Sequence, residues 1–227
     1  MNDTEISGYS DRIFLVDKPL DFTSADIVRI FKIDFNIKKI GHSGTLDPKA
    51  TGLLILCSGK KTKMITEFID YDKEYEGIIR IGAKTKSFDS ENEEEEIIDD
   101  LNITDEEVEN VRKSFLGETG QMPPMYSAVK HKGKPLYKLA RKGKEVERRS
   151  RNIFISEFEI RRLSENELFF RISSSKGTYI RSIANDFGEK LGVGGYLKTL
   201  KRTRIGKFRL DDFEKETRNI RFRILDL

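Results

Sequence analysis

The sequence predicts an α+β fold: a mixed, mostly antiparallel central sheet flanked by helices. Three observations carry this. Apolar runs of strand length or strand period recur at 12–17, 53–57, 74–82, 153–160 and 168–172, as expected of strands buried on one or both faces. Apolar residues three and four apart mark helices between them, as at Ile27, Ile30 and Phe31, or at Ile180, Ile183, Ala184, Phe187 and Leu191. The helices are interspersed among strands read as mostly non-parallel, which favours α+β. With no internal repeat and no linker, residues 1–227 read as one domain.

In chain order, Arg12–Asp17 is a strand ended by Lys18-Pro19, and Ser24 can cap the next helix. Gly59-Lys60-Lys61-Thr62 lacks the glycine spacing and the hydroxyl residue of a phosphate-binding loop. Met64, Ile65, Phe68 and Ile69 mark a second helix, and Glu74–Gly82 a strand with Tyr75 near its start. Thr104 and Glu107 form a capping box for a helix burying Val108, Val111 and Phe115. Ile153 and Ile155, then Phe158 and Ile160, alternate with a slip that predicts a bulge. The turn at 175–181 leads into a helix whose stripe excludes Tyr179 and Arg181. Leu197 and Leu200 suggest a further short helix, before a strand near Ile205–Leu210.

The composition narrows the chemistry. One cysteine, Cys57, excludes an internal disulfide and a cysteine metal cluster, and its apolar run marks it as an inert core thiol. Two histidines, His42 and His131, exclude a histidine-rich metal site. No apolar run reaches the roughly 18 residues of a membrane span, and Met1–Asp11 carries no signal pattern. A cytoplasmic protein is expected. The net charge of +3 conceals an asymmetry. Residues 1–125 hold 16 Lys+Arg against 26 Asp+Glu, and residues 126–227 hold 26 against 13. A basic half of this kind suits a polyanion, with nucleic acid the leading candidate, and charge alone fits a well-solvated surface equally. Residues 87–110 carry no basic residue, and 87–101 read as an acidic surface segment away from any RNA path, with 89–96 an exposed loop of high mobility. Residues 122–151, with Tyr126 and Tyr137 among ten Lys/Arg between Lys130 and Arg151, read as an RNA-binding insertion. Cations neutralise phosphates there and aromatic faces accept unstacked bases.

One stretch stands apart. Residues 41–52, Gly-His-Ser-Gly-Thr-Leu-Asp-Pro-Lys-Ala-Thr-Gly, describe a shaped loop in front of a buried strand. Such a loop is a place for a catalytic side chain, and Asp47 is the candidate. Taken alone, Asp47-Pro48 is more often a turn-forming pair than a nucleophile.

The stretch resembles the catalytic motif of the TruB family of tRNA pseudouridine synthases. So do Lys73-Glu74-Tyr75 with Ile81-Gly82, residues 123–130 with Gly133, Tyr137 and Ala140-Arg141, and Lys176-Gly177-Thr178-Tyr179-Ile180-Arg181-Ser182, in order from about residue 12 to 210, Lys18-Pro19 included. The resemblance implies a pseudouridine synthase fold with an RNA-binding thumb insertion, converting a uridine in the T loop of tRNA to pseudouridine. Asp47 would be the nucleophile and Arg181 its cationic partner. Tyr75 would stack on the flipped base, Tyr179 and Leu200 would wall the pocket, and His42 would assist flipping. Lys18, Tyr126, Lys130, Lys132 and Arg141 would contact RNA. It implies no cofactor and no metal, with the T stem-loop of tRNA as partner, no obligate protein partner, and a monomer. Bacterial members commonly continue into a PUA-type RNA-binding domain. The stretch after Leu210 is too short for one, so none is expected here.

Overall fold

A computed structural model describes residues 8–211 and 213–225. Residues 1–7, part of the polar N-terminal stretch, lie outside them. The chain divides into two compact units, unit 1 being Met1–Tyr75 with Leu200–Leu227 and unit 2 being Glu76–Thr199. Neither crossing carries a linker signal, because both fall inside strands.

Unit 1 opens with β1 (Ile13–Lys18) and α1 (Ser24–Asp34). The cap of α1 is Thr23, one residue before the Ser24 expected from sequence. Thr23 and Asp26 form a reciprocal capping box, while the Ser24 hydroxyl is engaged with the backbone of Leu46. Next come β2 (Ile40–His42) and β3 (Ala50–Ser58), paired antiparallel. A 3-10 turn at Gly59–Met64 and α2 (Ile65–Asp70) lead to β4 (Lys73–Ile81), in which the chain passes to unit 2. It returns in β10 (Gly195–Ile205) and finishes with β11 (Phe208–Arg209), β12 (Lys215–Thr217) and β13 (Ile220–Leu225). In this unit the strand order is β12-β13-β1-β3-β10. Only the β3–β10 pairing among these is parallel, with Leu200 opposite Ala50 and Arg202 opposite Gly52. The helix expected around Leu197 and Leu200 is therefore a strand. Their spacing of three fits a helical turn, but the ladder to β3 requires extended backbone and overrides so short a pattern. One face of the unit 1 sheet packs Phe14, Phe31, Phe35 and Phe222 edge to face. The other buries Ile13, Leu15, Leu53, Ile55, Cys57, Phe68 and Ile205.

Unit 2 holds α3 (Asp105–Lys113), with the predicted Thr104–Glu107 capping box, and β5 (Gly117–Gln121). The insertion comes next: a small hairpin of β6 (Lys130–His131) and β7 (Lys134–Pro135), then α4 (Leu136–Ala140). β8 (Arg151–Arg162) and β9 (Glu167–Ser174) pair antiparallel, with the expected bulge between Ile155 and Glu157. α5 (Ile180–Lys190) closes the unit. The strand order is β10-β4-β9-β8-β5. Phe115 and Phe187 stack on each other, and Phe158 meets both edge to face.

Candidate functional site

Residues 43–49 join β2 to β3, and unit 1 fixes them from several sides. Ser24 accepts from the Leu46 N–H at 2.9 Å and donates to its carbonyl at 3.2 Å. The Pro48 carbonyl accepts from the Asp21 N–H at 2.9 Å and from Lys18 Nζ at 3.4 Å. Asp47 lies between these anchored neighbours, and its own carbonyl accepts from the Ala50 N–H at 3.0 Å, closing a tight turn. A carboxylate on a loop tethered at the residues before and after it is presented in one geometry, which an attacking group requires.

Two buried cations stand beneath the loop. Arg202, only 2 % exposed, donates from Nε to the Leu53 carbonyl at 2.7 Å and from Nη2 to that of Gly44 at 3.4 Å. Lys18 is fully buried and also donates to the carbonyls of Pro19 and Phe22. Burial lowers its pKa to about 8, and the charge of Asp47 is the foremost influence pulling it back up. This corrects the expectation that Lys18 contacts RNA: an ammonium fully buried against three carbonyls presents nothing to a phosphate. It is a structural cation beside Asp47. Sequence reasoning also missed Arg202, which a strand reading of 195–205 would have turned inward.

His42, at the end of β2, is half-buried. Its Nδ1 accepts from the Gly44 N–H at 3.3 Å, so the neutral ring carries its proton on Nε2. Burial lowers its pKa, and the Arg202 charge adds to that. Tyr75 is buried at the start of β4, and Leu200 is half-buried opposite Ala50, where the loop enters β3. Cys57 is fully buried and pushed up to about 12, the inert thiol expected.

In unit 2 the residues gather at the first turn of α5. Arg181 does not lie off the buried face, as its position in the stripe suggested. It is 6 % exposed and donates to the carbonyls of Ser87 at 3.2 Å and Tyr126 at 2.8 Å. Its Nε stands 3.5 Å from Asp89 Oδ2. Asp89 is itself buried and accepts from the Ser87 hydroxyl and the Glu91 N–H. Glu91 and residues 93–100 of the acidic segment are exposed as expected, but Asp89 is not, and parts of the segment are tied down. Glu94 pairs with Arg80 and accepts from the Tyr196 hydroxyl, and the backbones of Lys84 and Glu95 bond reciprocally. Its first acid is the buried counter-charge of Arg181. The run of acids around Asp89 hid it, because charge patterning cannot tell a buried carboxylate from its solvated neighbours.

Tyr179 caps α5 without a side-chain bond to the helix, and Gln121 holds its backbone instead. In the insertion Lys130, Lys132 and Arg141 are exposed, as contacts to a polyanion require, and Arg141 lies 5.8 Å from the Tyr137 ring centre. Tyr126 is half-buried, its carbonyl held by Arg181.

The described residues contain no group of three or more His, Cys, Asp or Glu placed to hold a metal. None of their helices is long and apolar enough to cross a membrane.

Among solved structures, the chain aligns with one described as a Cbf5-Nop10-Gar1 complex at TM-score 0.71 and 29 % identity, covering 91 % of this chain and 52 % of that one. It aligns with an H/ACA RNP bound to a substrate RNA containing 2'-deoxyuridine at TM-score 0.67 and 26 % identity, over 90 % of this chain and 50 % of that one. The chain thus spans about half the length of those proteins. Among curated relatives, tRNA pseudouridine synthase B of Chlorobaculum tepidum is 52 % identical over 203 residues, 87 % of this chain and 85 % of that protein. The same enzyme of Chloroherpeton thalassium is 48 % identical over 205 residues, 88 % and 85 % of the two chains. Fold and relatives together define a pseudouridine synthase. Residues 32–180 match the pattern described as TruB family pseudouridylate synthase (N terminal domain), and the chain belongs to the TruB family.

Proposed function

We propose that the protein converts a uridine in the T loop of tRNA to pseudouridine, with Asp47 as the nucleophile. The observation that carries this reading is the fixed presentation of Asp47 in the family's catalytic motif, between Leu46 and Pro48, each tethered from another element. An extruded base is the only form of the substrate such a loop can reach, because a stacked base cannot be rearranged in place.

The chemistry balances within the substrate. The Asp47 carboxylate attacks the sugar carbon or the base ring; the bond from N1 of uracil to C1′ breaks, the base turns, and C5 bonds to C1′. C5 loses a proton and N1 gains one, so nothing is oxidised or added. Asp47 leaves as the carboxylate that entered. Tyr75 stacks on the extruded base and stands as the candidate for handling the C5 proton. Tyr179 and Leu200 wall the base, and His42, neutral with its proton on Nε2, assists extrusion. Arg181 is the cation that accompanies the reacting carboxylate, and Asp89 keeps that guanidinium in place within unit 2. Lys130, Lys132, Arg141 and Tyr126 receive the RNA. The protein acts in the cytoplasm as a monomer on the T stem-loop, without an obligate protein partner, cofactor or metal.

The test is mass spectrometry of T-arm RNA after cyanoethylation, with wild type beside Asp47→Asn. Wild type converts the bare stem-loop and Asp47→Asn leaves it unmodified while still binding it. Conversion by Asp47→Asn would remove the nucleophile from the proposal. Conversion that required an added guide RNA would remove the stand-alone tRNA reading.

A further inference from the structure

The insertion leaves the sheet at Gln121 and rejoins it at Arg151, and these two residues face each other across β5 and β8. Both turn to Tyr179. The Gln121 amide bonds that residue's backbone twice: Oε1 accepts from the Tyr179 N–H at 2.8 Å, and Nε2 donates to its carbonyl at 3.0 Å. The Arg151 guanidinium lies over the Tyr179 ring, 4.4 Å from its centre. Gln121 is 2 % exposed, and Arg151 Nε and Nη2 are buried with no hydrogen-bond acceptor among the described residues. Leaving two guanidinium donors unpaired is unfavourable, and an apolar side chain of similar length would sit there at less cost to stability. What the guanidinium does have is a ring face, whose quadrupole attracts a cation most strongly where water is excluded. Two further bonds join the same places, Ser182 Oγ to the Met122 carbonyl at 3.1 Å and Arg181 Nη2 to that of Tyr126. The first turn of α5 is therefore stitched to the root of the insertion.

We propose that Gln121 and Arg151 are positioning residues: Gln121 sets the backbone of Tyr179 and Arg151 its ring, so that the root of the RNA-binding insertion fixes the wall against which the uridine is held. The proposal rests on the role proposed for Tyr179 in walling the base. It makes the base pocket answer to the segment that grips the RNA, through one tyrosine.

Arg151→Met keeps length and apolar bulk but removes the charge; Arg151→Lys keeps a cation able to sit over the ring. With enzyme in excess over T-arm RNA, Arg151→Met lowers the single-turnover rate about tenfold or more while RNA affinity stays within about threefold, and Arg151→Lys recovers part of the loss. In a Tyr179→Ala background, Arg151→Met costs less than about threefold, since residues acting through each other are not additive. Independently of activity, Gln121→Ala speeds hydrogen exchange at the Tyr179 amide and leaves the interior of α5 protected. An Arg151→Met loss of the same size with and without the Tyr179 ring would overturn the proposal. So would a loss confined to RNA affinity, which would make Arg151 a phosphate contact, or unchanged exchange at Tyr179 in Gln121→Ala. If wild type itself does not modify the T arm, the functional reading fails while the exchange measurement still decides how Tyr179 is held.

Discussion

Replacing Gly52 by alanine tests how tightly β10 holds the end of the loop. Gly52 has φ +97°, and a Cβ there would stand 2.3 Å from the Arg202 carbonyl oxygen and 2.9 Å from the Arg202 nitrogen. Both are backbone atoms of the strand paired to β3, so no side chain can swing aside. Gly44, at the other end of the loop, has φ +128° and open space around its Cβ position. Alanine at either site incurs a backbone conformational cost of about 1–3 kcal/mol. At Gly52 the overlap adds about 1–3 kcal/mol for forcing β3 and β10 apart. Gly52→Ala is therefore expected to be about 1–3 kcal/mol less stable than Gly44→Ala. It also displaces Arg202 from Leu53 and Gly44, so its single-turnover rate on T-arm RNA falls further than its stability requires. Urea denaturation of the two variants in parallel measures the difference, and the rate is read below both transitions. Equal stabilities would refute the close approach of β10 to the loop and, with it, the clamp assigned to Arg202.

Three other outcomes are expected. Asp89→Asn leaves the Arg181 charge without its buried counter-charge, although the carbonyl bonds remain. It should cost about 2–4 kcal/mol and lower the melting temperature by about 2–4 °C for each of these; an unchanged melting temperature would deny the pair its structural role. Lys18 titrates at about 8 when folded and at the ordinary 10.5 when unfolded. Between those values the unfolded chain binds the extra proton, so Lys18 contributes a stability that rises with pH across that window. In wild type minus Lys18→Met, the urea midpoint should climb from pH 8 upward, and a flat difference would contradict the burial of the ammonium. Neutralising Lys130, Lys132 and Arg141 to glutamine should weaken T-arm binding and flatten its log–log salt dependence by about 2 if all three meet phosphates, and an unchanged slope would move the RNA path elsewhere.

The elements with strong local signals were legible from sequence: the Thr104 capping box, the bulge after Ile155, the buried run of β3 and the helix from Ile180. Asp47 was legible as a carboxylate in a loop no regular element would accept. Features whose cause lies far along the chain escaped. β10 is a strand because β3 lies beside it, and a two-leucine spacing could not announce that. The strand β13 was missed because a short charged tail carries little pattern until β1 offers it a partner. Lys18, Asp89 and Arg202 are charged residues in the interior, against the rule that places such side chains in water. Each is met there by at least one partner from a distant segment, the Pro48 carbonyl for Lys18, Arg181 for Asp89, and the Leu53 and Gly44 carbonyls for Arg202, and sequence spacing holds no record of that.

The pairing of β1 with β13 sets an order on how the protein comes into being. Ile13–Val16 lie against Phe222–Leu225, so the frame around the Asp47 loop joins two segments far apart in the chain, one made before unit 2 and one after it. Unit 2 is one uninterrupted segment, 76–199, and its partners are all in place once that segment has been made. On a ribosome, domains form as their residues emerge. Unit 2, with the insertion and Tyr179, can mature while β1 still waits for β13. The frame of the Asp47 loop then gains the pairing of β1 with β13 later than unit 2 gains its own partners.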